Sequence, residues 1–315
     1  PGVCTESAPD ELKKFSSLTA LLESPHVDSV VIATPNQFTS EAVVAALRAG
    51  KHVLTEKPPG RNYQEFLAIA EASHAAPKQV IMFGLNHRHK SSVKRLIKIR
   101  ESGSLGDLNW VRCRYGKEPK NSGEMGWRDV PSLSGGGILL DQGIHGLDLI
   151  LRLIGRPAQV DSMVSGHIEG LEDNAFLQLR SEESNICASL HSTATQWRYL
   201  FSLELSFAGG SIALNGLRTA SGNYGDELLT IHRVIQDGKR ETVEQKYLDD
   251  DSWSNECRMF VESVNLGRTP AEGSLADAQL LAHTIEKAYL ADPSWRRAEL
   301  HRLAATSSNT PEPSD

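Results

Sequence analysis

Between Val27 and Gly84 the chain alternates apolar runs with helical patterns across short links, and few folds accept that order. Val27 to Ala33 is a β-branched run, the pattern of a parallel strand buried on both faces. Thr34-Pro35-Asn36 ends it at the edge where open parallel sheets bind ligands. Glu41 to Ala49 reads as a helix closed by Gly50 in a left-handed cap. Val53-Leu54 starts the next strand, and Glu56-Lys57-Pro58 falls at its carboxyl end. Asn62 caps a helix through Ser73, with Phe66, Leu67 and Ile69 inward, and Val80 to Phe83 is a further strand ending at Gly84. Strand–helix alternation of this kind predicts an α/β, doubly wound parallel sheet.

A second stretch carries chemistry. Ser134-Gly135-Gly136-Gly137 runs into an apolar helical pattern holding Asp141, His145 and Asp148 at i, i+4 and i+7. At about 3.6 residues per turn these three share one face. Leu139, Leu140, Leu147, Ile150, Leu151 and Ile154 supply the buried sides. An acid and a histidine one turn apart suit proton transfer, and they equally suit a buried helix with a satisfied Asp–His hydrogen bond. Lys57 is open in the same way. A lysine at a strand's carboxyl end can donate to a substrate oxygen, with the Lys57–Pro58 bond a place for a cis peptide that aims it; an ordinary surface loop has the same composition.

Taken together, the two stretches resemble the nicotinamide-dependent sugar and polyol oxidoreductases typified by glucose–fructose oxidoreductase and inositol dehydrogenase, the Gfo/Idh/MocA family. The matching residues are Asp28-Ser29-Val30-Val31-Ile32-Ala33-Thr34-Pro35-Asn36, Ala49-Gly50-Lys51-His52-Val53 leading into Glu56-Lys57-Pro58, Gly84-Leu85-Asn86-His87-Arg88, and the glycine–Asp–His helix. They follow the family's order from about Leu18 to about Ala291. The resemblance implies a Rossmann-type dinucleotide-binding domain over 1–88 and an α+β substrate and oligomerisation domain over 89–300. It implies NAD or NADP as cofactor, and a homodimer or homotetramer formed through the C-terminal sheet.

By the same resemblance Lys57 and His145 are the catalytic pair, with Asp141 beside them. Ala33, Thr34, Pro35, Asn36, Glu56, Lys57, Pro58 and Asn86 face the cofactor, while Trp127-Arg128 is by residue type a pair that can lean over the cofactor and equally one that anchors its loop. Asn174 joins Lys57, Asp141 and His145 around a sugar or polyol. Residue type supplies the roles. Histidine titrates near ~6.5 and takes the hydroxyl proton; lysine steadies the oxygen's growing negative charge. The chain departs from the family at Thr39, where a histidine is frequent. It also lacks G-x-G-x-x-G, since position 140 is leucine. The expectation is an N-terminally incomplete chain, short of the first βα unit of roughly 30 residues. Val3-Cys4-Thr5 then reads as the end of the second strand and Ala8 to Phe15 as a helix remnant. Two other outcomes fit the same fold: glycoside cleavage with no net redox change, and an inactive fragment or assembly module.

Composition narrows the partners. With 315 residues, 39% hydrophobic and 23% charged, the chain suits two globular domains. A net charge of -7 argues against a nucleic-acid surface, and no apolar stretch is long enough to span a membrane. Cys4, Cys113, Cys187 and Cys257 stand far apart, which signals no metal site and fits a reducing cytoplasm. Past Gln159, repeated strands at Val160 to Val164, Ala175 to Leu179, Ile186 to Thr193, Leu200 to Phe207, Ser211 to Leu214 and Leu228 to Val234 predict a large, open, mainly antiparallel sheet. Ser252 to Leu266 and Ser274 to Ala291 read as helices closing that domain, the second opened by a Ser274/Asp277 capping box. The tail from residue 301 reads as disordered.

Overall fold

A computed structural model of the chain describes residues 2–3, 13–119, 125–168, 170–219, 222–235 and 238–295. Its first elements are β1 (Gly2–Val3), β2 (Lys13–Lys14), α1 (Leu18–Leu22), β3 (Ser29–Ile32), α2 (Asn36–Arg48), β4 (His52–Glu56), α3 (Tyr63–Ala75) and β5 (Ile81–Gly84). A 3₁₀ turn over Asn86–His89 leads to α4 (Ser91–Glu101), β6 (Leu108–Gly116) and the single turn α5 (Pro131–Ser134). A π-helical turn over Leu139–Gly143 then runs into α6 (Ile144–Ile154). Next come β7 (Pro157–Ser165), β8 (Asn174–Ser181), β9 (Cys187–Thr193), β10 (Leu200–Phe207), β11 (Gly210–Asn215), β12 (Arg218–Thr219), β13 (Gly222–Asn223), β14 (Glu227–Val234) and β15 (Arg240–Tyr247). Helices α7 (Ser252–Leu266) and α8 (Leu275–Ala291) complete the order.

Two compact units result. The first gathers the described residues up to Lys90, Ser132–Ser134 and Asp251–Ala282. Its sheet has the order β3-β4-β5, parallel throughout, with Val30 opposite Val53 and Val53 opposite Ile81. Central β4 is buried at Val53, Leu54 and Thr55. Strand β3 differs from its expected double burial: it lies at the sheet edge and leaves Val31 67% exposed. Leu67, expected inward, is half-exposed, while Phe66 and Ile69 fill the α3 contact. Helix α2 begins at Asn36 rather than Glu41, because Pro35 is already a good helix entry. Lys13–Lys14, expected in a helix remnant, form a strand parallel to Gly2–Val3; the other residues of that segment lie outside the described residues, as does the tail from 301.

Helix α7 belongs to this unit instead of closing the second. Ser252, Glu256, Phe260 and Ser263 are its buried stripe, and Phe260 packs with Leu54, Val80 and Met82. Burying a side chain of that size is worth about 2–3 kcal/mol, which outweighs proximity in sequence. Caps behave as expected. Asn62 Oδ1 accepts the Glu65 N–H at 2.9 Å, and Ser274 and Asp277 exchange N–H bonds across the start of α8. Asn62→Ala should lower unfolding free energy by about 1 kcal/mol, read as a shifted urea midpoint at unchanged slope.

The second unit holds the described residues of Ser91–Pro131 and Gly135–Asp250, with those from His283 to Trp295. Its sheet has the order β15-β14-β11-β10-β6-β9-β8-β7, antiparallel at every junction except β6–β9. Helix α6 lies on one face: a Cβ built on Gly146 would come within 3.0 Å of Cys113 Sγ and of Leu190. Edge strand β15, which the sequence pattern missed, is strongly charged and so resists further pairing. Among the described residues no helix is long and apolar enough to cross a membrane.

Candidate active site

In the first unit the sequence-predicted residues collect at the carboxyl ends of the parallel strands. Ala33 and Thr34 leave β3 exposed. The Thr34 hydroxyl lies 3.3 Å from that of Thr39, so the residue at the departure from the family pattern is a hydroxyl partner of this loop. Asn36 is buried, its amide donating to the Ser134 carbonyl at 2.8 Å. At the end of β4 the Lys57–Pro58 peptide is cis. Glu56 Oε2 accepts the Lys57 N–H at 3.2 Å. Burial raises the Glu56 carboxyl, and the Lys57 charge and that N–H bond pull it back. Asn86, just past β5, is buried; its Nδ2 donates to Ser252 Oγ at 3.4 Å and its Oδ1 lies 2.9 Å from His87 Nδ1.

In the second unit Asp141 lies in the π-helical turn and His145 in the first turn of α6. The π segment widens the helix, so a single 3.6-residue face does not run through it. Asp141 and His145 stay partly exposed, while Asp148 turns into the core at 1% exposure. Asp148 therefore leaves the face expected of it. Arg128 reaches Asp141 Oδ1 with Nε at 3.3 Å and lies 4.3 Å over the Trp127 ring. Lys117, a residue the sequence reading passed over, holds the other oxygen, Oδ2, at 3.0 Å. Its side chain is 13% exposed, so this ion pair is shielded and stronger than a surface one. Tyr115 and Tyr224 meet edge to face at 5.1 Å, and Tyr224 Oη approaches Gln142 Oε1 at 3.5 Å. Burial first, and the Asp141 charge further down, raise both phenols, which stay neutral hydrogen-bonding groups. Asn174 opens β8, bonded to Asp173 Oδ1 and Thr195 Oγ1 at 3.0 Å each.

The glycine run has a structural occupant. Glu172 puts Oε2 on the Gly137 N–H and Oε1 on the Leu139 N–H, both at 2.8 Å, and Tyr289 donates to Oε1 at 2.9 Å. Burial raises the Glu172 carboxyl, and these donors counter it. A Cβ on Gly137 would lie 2.0 Å from the Glu172 carbonyl oxygen. Only glycine lets the two backbones approach so closely.

Comparison with known proteins now adds to this geometry. Residues 6–84 match the model of an oxidoreductase family with an NAD-binding Rossmann fold, and residues 93–213 match that of the GFO/IDH/MocA C-terminal domain. Together they span more than half the chain. The chain belongs to the Gfo/Idh/MocA oxidoreductase family. Among its relatives, myo-inositol 2-dehydrogenase of Thermotoga maritima is 26% identical over 82% of this chain and 76% of that protein. Levoglucosan dehydrogenase of Pseudarthrobacter phenanthrenivorans is 30% identical over 48% of this chain and 39% of that protein. The chain spans about half the length of the curated relatives it matches first. The solved structure of a levoglucosan dehydrogenase with NADH and levoglucosan has the same fold, with a TM-score of 0.80 at 22% identity over 90% of this chain and 82% of that one.

The expected fold class, a Rossmann-type parallel sheet followed by a large, mainly antiparallel sheet, is that of the Gfo/Idh/MocA family. The described residues of this Gfo/Idh/MocA chain fit part of a nicotinamide cofactor. At the end of β3 the backbone is open, and α2 starts there with neither a capping side chain nor a first-turn acid, which suits an anionic or hydroxyl-rich group. The start of the π-helical turn does not suit a pyrophosphate, because Glu172 already takes its N–H groups.

Proposed function

We propose that this chain carries out hydride transfer between NAD or NADP and a hydroxyl-bearing carbon of a sugar, polyol or sugar derivative. The observation that carries the reading is the fixed Asp141 carboxylate four residues before His145, in a member of an NAD-binding oxidoreductase family. The relatives named a myo-inositol 2-dehydrogenase and a levoglucosan dehydrogenase support the substrate class.

Ala33, Thr34, Pro35, Asn36, Glu56, Pro58 and Asn86 hold the cofactor in this reading, with Trp127 and Arg128 contributing from the loop before α5. The bound nicotinamide supplies the hydride acceptor. His145 takes the proton from the substrate hydroxyl as the carbon is oxidised, and returns it in the reverse direction. Lys57 donates a hydrogen bond to the same oxygen and steadies its negative charge. Asp141, clamped by Lys117 and Arg128, accepts from a neighbouring hydroxyl, and Asn174 adds an amide to the sugar. A panel of polyols, aldoses and anhydrosugars with each cofactor tests this at the nicotinamide absorbance. Stoichiometric cofactor reduction and ketone formation are expected. Sugar cleavage without net reduction would favour the glycoside-cleaving alternative, and no turnover with any of them would count against enzymatic function.

The chain assembles, in this reading, as a homodimer or homotetramer through the second sheet. Cross-strand register puts Met163 opposite Phe176, Phe176 opposite His191, and His191 opposite Arg114, with Trp110 on the same side of β6. Met163, Phe176 and Trp110 are 69%, 43% and 41% exposed, on the face that α6 leaves open. Apolar side chains clustered on one sheet face mark an interaction surface. Sedimentation at micromolar concentration should give a dimer or larger; a monomer would contradict it.

A further inference from the structure

The turn over Leu139–Gly143 closes π-helical i→i+5 bonds, which hold one residue more than α-helical ones. Its own sequence does not call for this, since Leu139, Leu140 and Gln142 are good α-helix formers. The cause lies at its two ends, each held from outside. At the start, Glu172 takes three successive N–H groups. Gly137 donates to Oε2, Ile138 to the main-chain carbonyl and Leu139 to Oε1, each at 2.8 Å. Tyr289 Oη donates to Oε1 at 2.9 Å, and Glu172 is buried. At the other end α6 is seated on the sheet through Gly146, where a Cβ would come within 3.0 Å of Cys113 Sγ and of Leu190 Cδ1. Gly143 fits as tightly: a Cβ there would lie 2.7 Å from Ser192 Oγ. With both ends fixed, the extra residue is taken up as a π turn.

We propose that Glu172 is a positioning residue for the hydride transfer: by holding the N–H groups of Gly137, Ile138 and Leu139 it keeps the turn π-helical, and so sets where Asp141 stands relative to His145. Asp141 moves with the held end, because its N–H bonds the Gly137 carbonyl at 2.9 Å. His145 moves with α6, one residue before the packed Gly146. Each residue of an α-helix advances about 100° around the axis. Were the start released, closing the turn to α would swing Asp141 by about that angle relative to His145. The swing would take it off its ion pairs with Lys117 and Arg128. The hold needs a carboxylate. Two backbone donors and a phenol meet its two oxygens, and an ionised carboxyl accepts at both. A glutamine has one acceptor oxygen, and its NH₂ would face a backbone N–H. The benefit rests on the catalytic reading of Asp141 and His145, while the hold itself does not.

Imidazole NMR on the full chain reads the placement without any substrate, with His145→Gln assigning the His145 signal by its loss. In Asp141→Asn the His145 midpoint should fall, because a neighbouring negative charge is gone. Glu172→Gln keeps Asp141, yet it should lower the His145 midpoint in the same direction, because the carboxylate has turned away. With a substrate that turns over, folded Glu172→Gln should lose roughly tenfold or more in kcat, the scale of a misplaced reacting group, while the KM for the nicotinamide cofactor holds. In the wild type the Gly137, Ile138 and Leu139 amides should exchange slowly with solvent, as a set. A His145 midpoint that neither variant moves, one that only Asp141→Asn moves, or an unchanged kcat in Glu172→Gln would each overturn the proposal. Fast exchange at the three wild-type amides would overturn it too, and that measurement decides even where the glutamine variant folds poorly. Should His145→Ala keep full turnover while the midpoints behave as stated, the catalytic reading fails and the hold by Glu172 stands.

Discussion

Lys57→Ala and His145→Ala should each cut turnover by roughly a hundredfold or more, the usual scale for a positioned acid–base or oxyanion-stabilising group. The loss should appear in kcat, because the proposed reaction has both groups act on an oxygen whose charge develops only as hydride leaves. Asp141→Asn should be milder. It keeps the shape and one acceptor oxygen while freeing Lys117 and Arg128 from their ion pairs. Steady-state kinetics on the three variants check this, with circular dichroism to show that each is folded. Near-wild-type kcat in both alanine variants would remove Lys57 and His145 from the chemistry.

Gly137→Ala should be among the most damaging single substitutions in the second unit. The added Cβ would meet the Glu172 carbonyl oxygen at 2.0 Å and its backbone nitrogen at 2.7 Å. The obstruction is backbone, so it cannot turn aside. Pushing the two backbone segments apart also strips Gly137 and Leu139 of their shared carboxylate acceptor. Overpacking together with lost buried hydrogen bonds amounts to about 3 kcal/mol or more. Denaturant unfolding should show the midpoint falling accordingly. A midpoint equal to that of the wild type would mean that the Glu172 segment does not sit against the glycine run.

The alternation from β3 to β5 was legible because each signal was local. β-branched runs, an Asn cap and a glycine terminator each act over a few residues, and a parallel sheet follows from their order. Lys57 and the Asp141–His145 pair were legible only as a motif. What the sequence hid depends on partners distant along the chain. Glu172 reaches back 35 residues to Gly137, and no periodicity marks it. Lys117 lies 24 residues from Asp141, just past a strand whose alternation accounts for its neighbours but not for it. The π-helical turn has the composition of ordinary helix, so Asp148 was placed on the wrong face. Val31 is a different case: its β-branched type fits a strand, but β3 alternates between exposed and buried, so Val31 lies on an uncovered face that residue type alone does not reveal. Glu256 did leave a trace, as an acid at an inward position of the stripe Ser252, Glu256, Phe260, Ser263.

The central claim is that Lys57 and His145 serve one hydroxyl oxygen in one hydride transfer. Single-turnover rates of the wild type, Lys57→Ala, His145→Ala and the double variant, measured with a substrate that turns over, test it most directly. Groups acting as a unit lose together, so the double variant should be little slower than the slower single variant. Losses that multiply, as for independent sites, would contradict a shared oxygen.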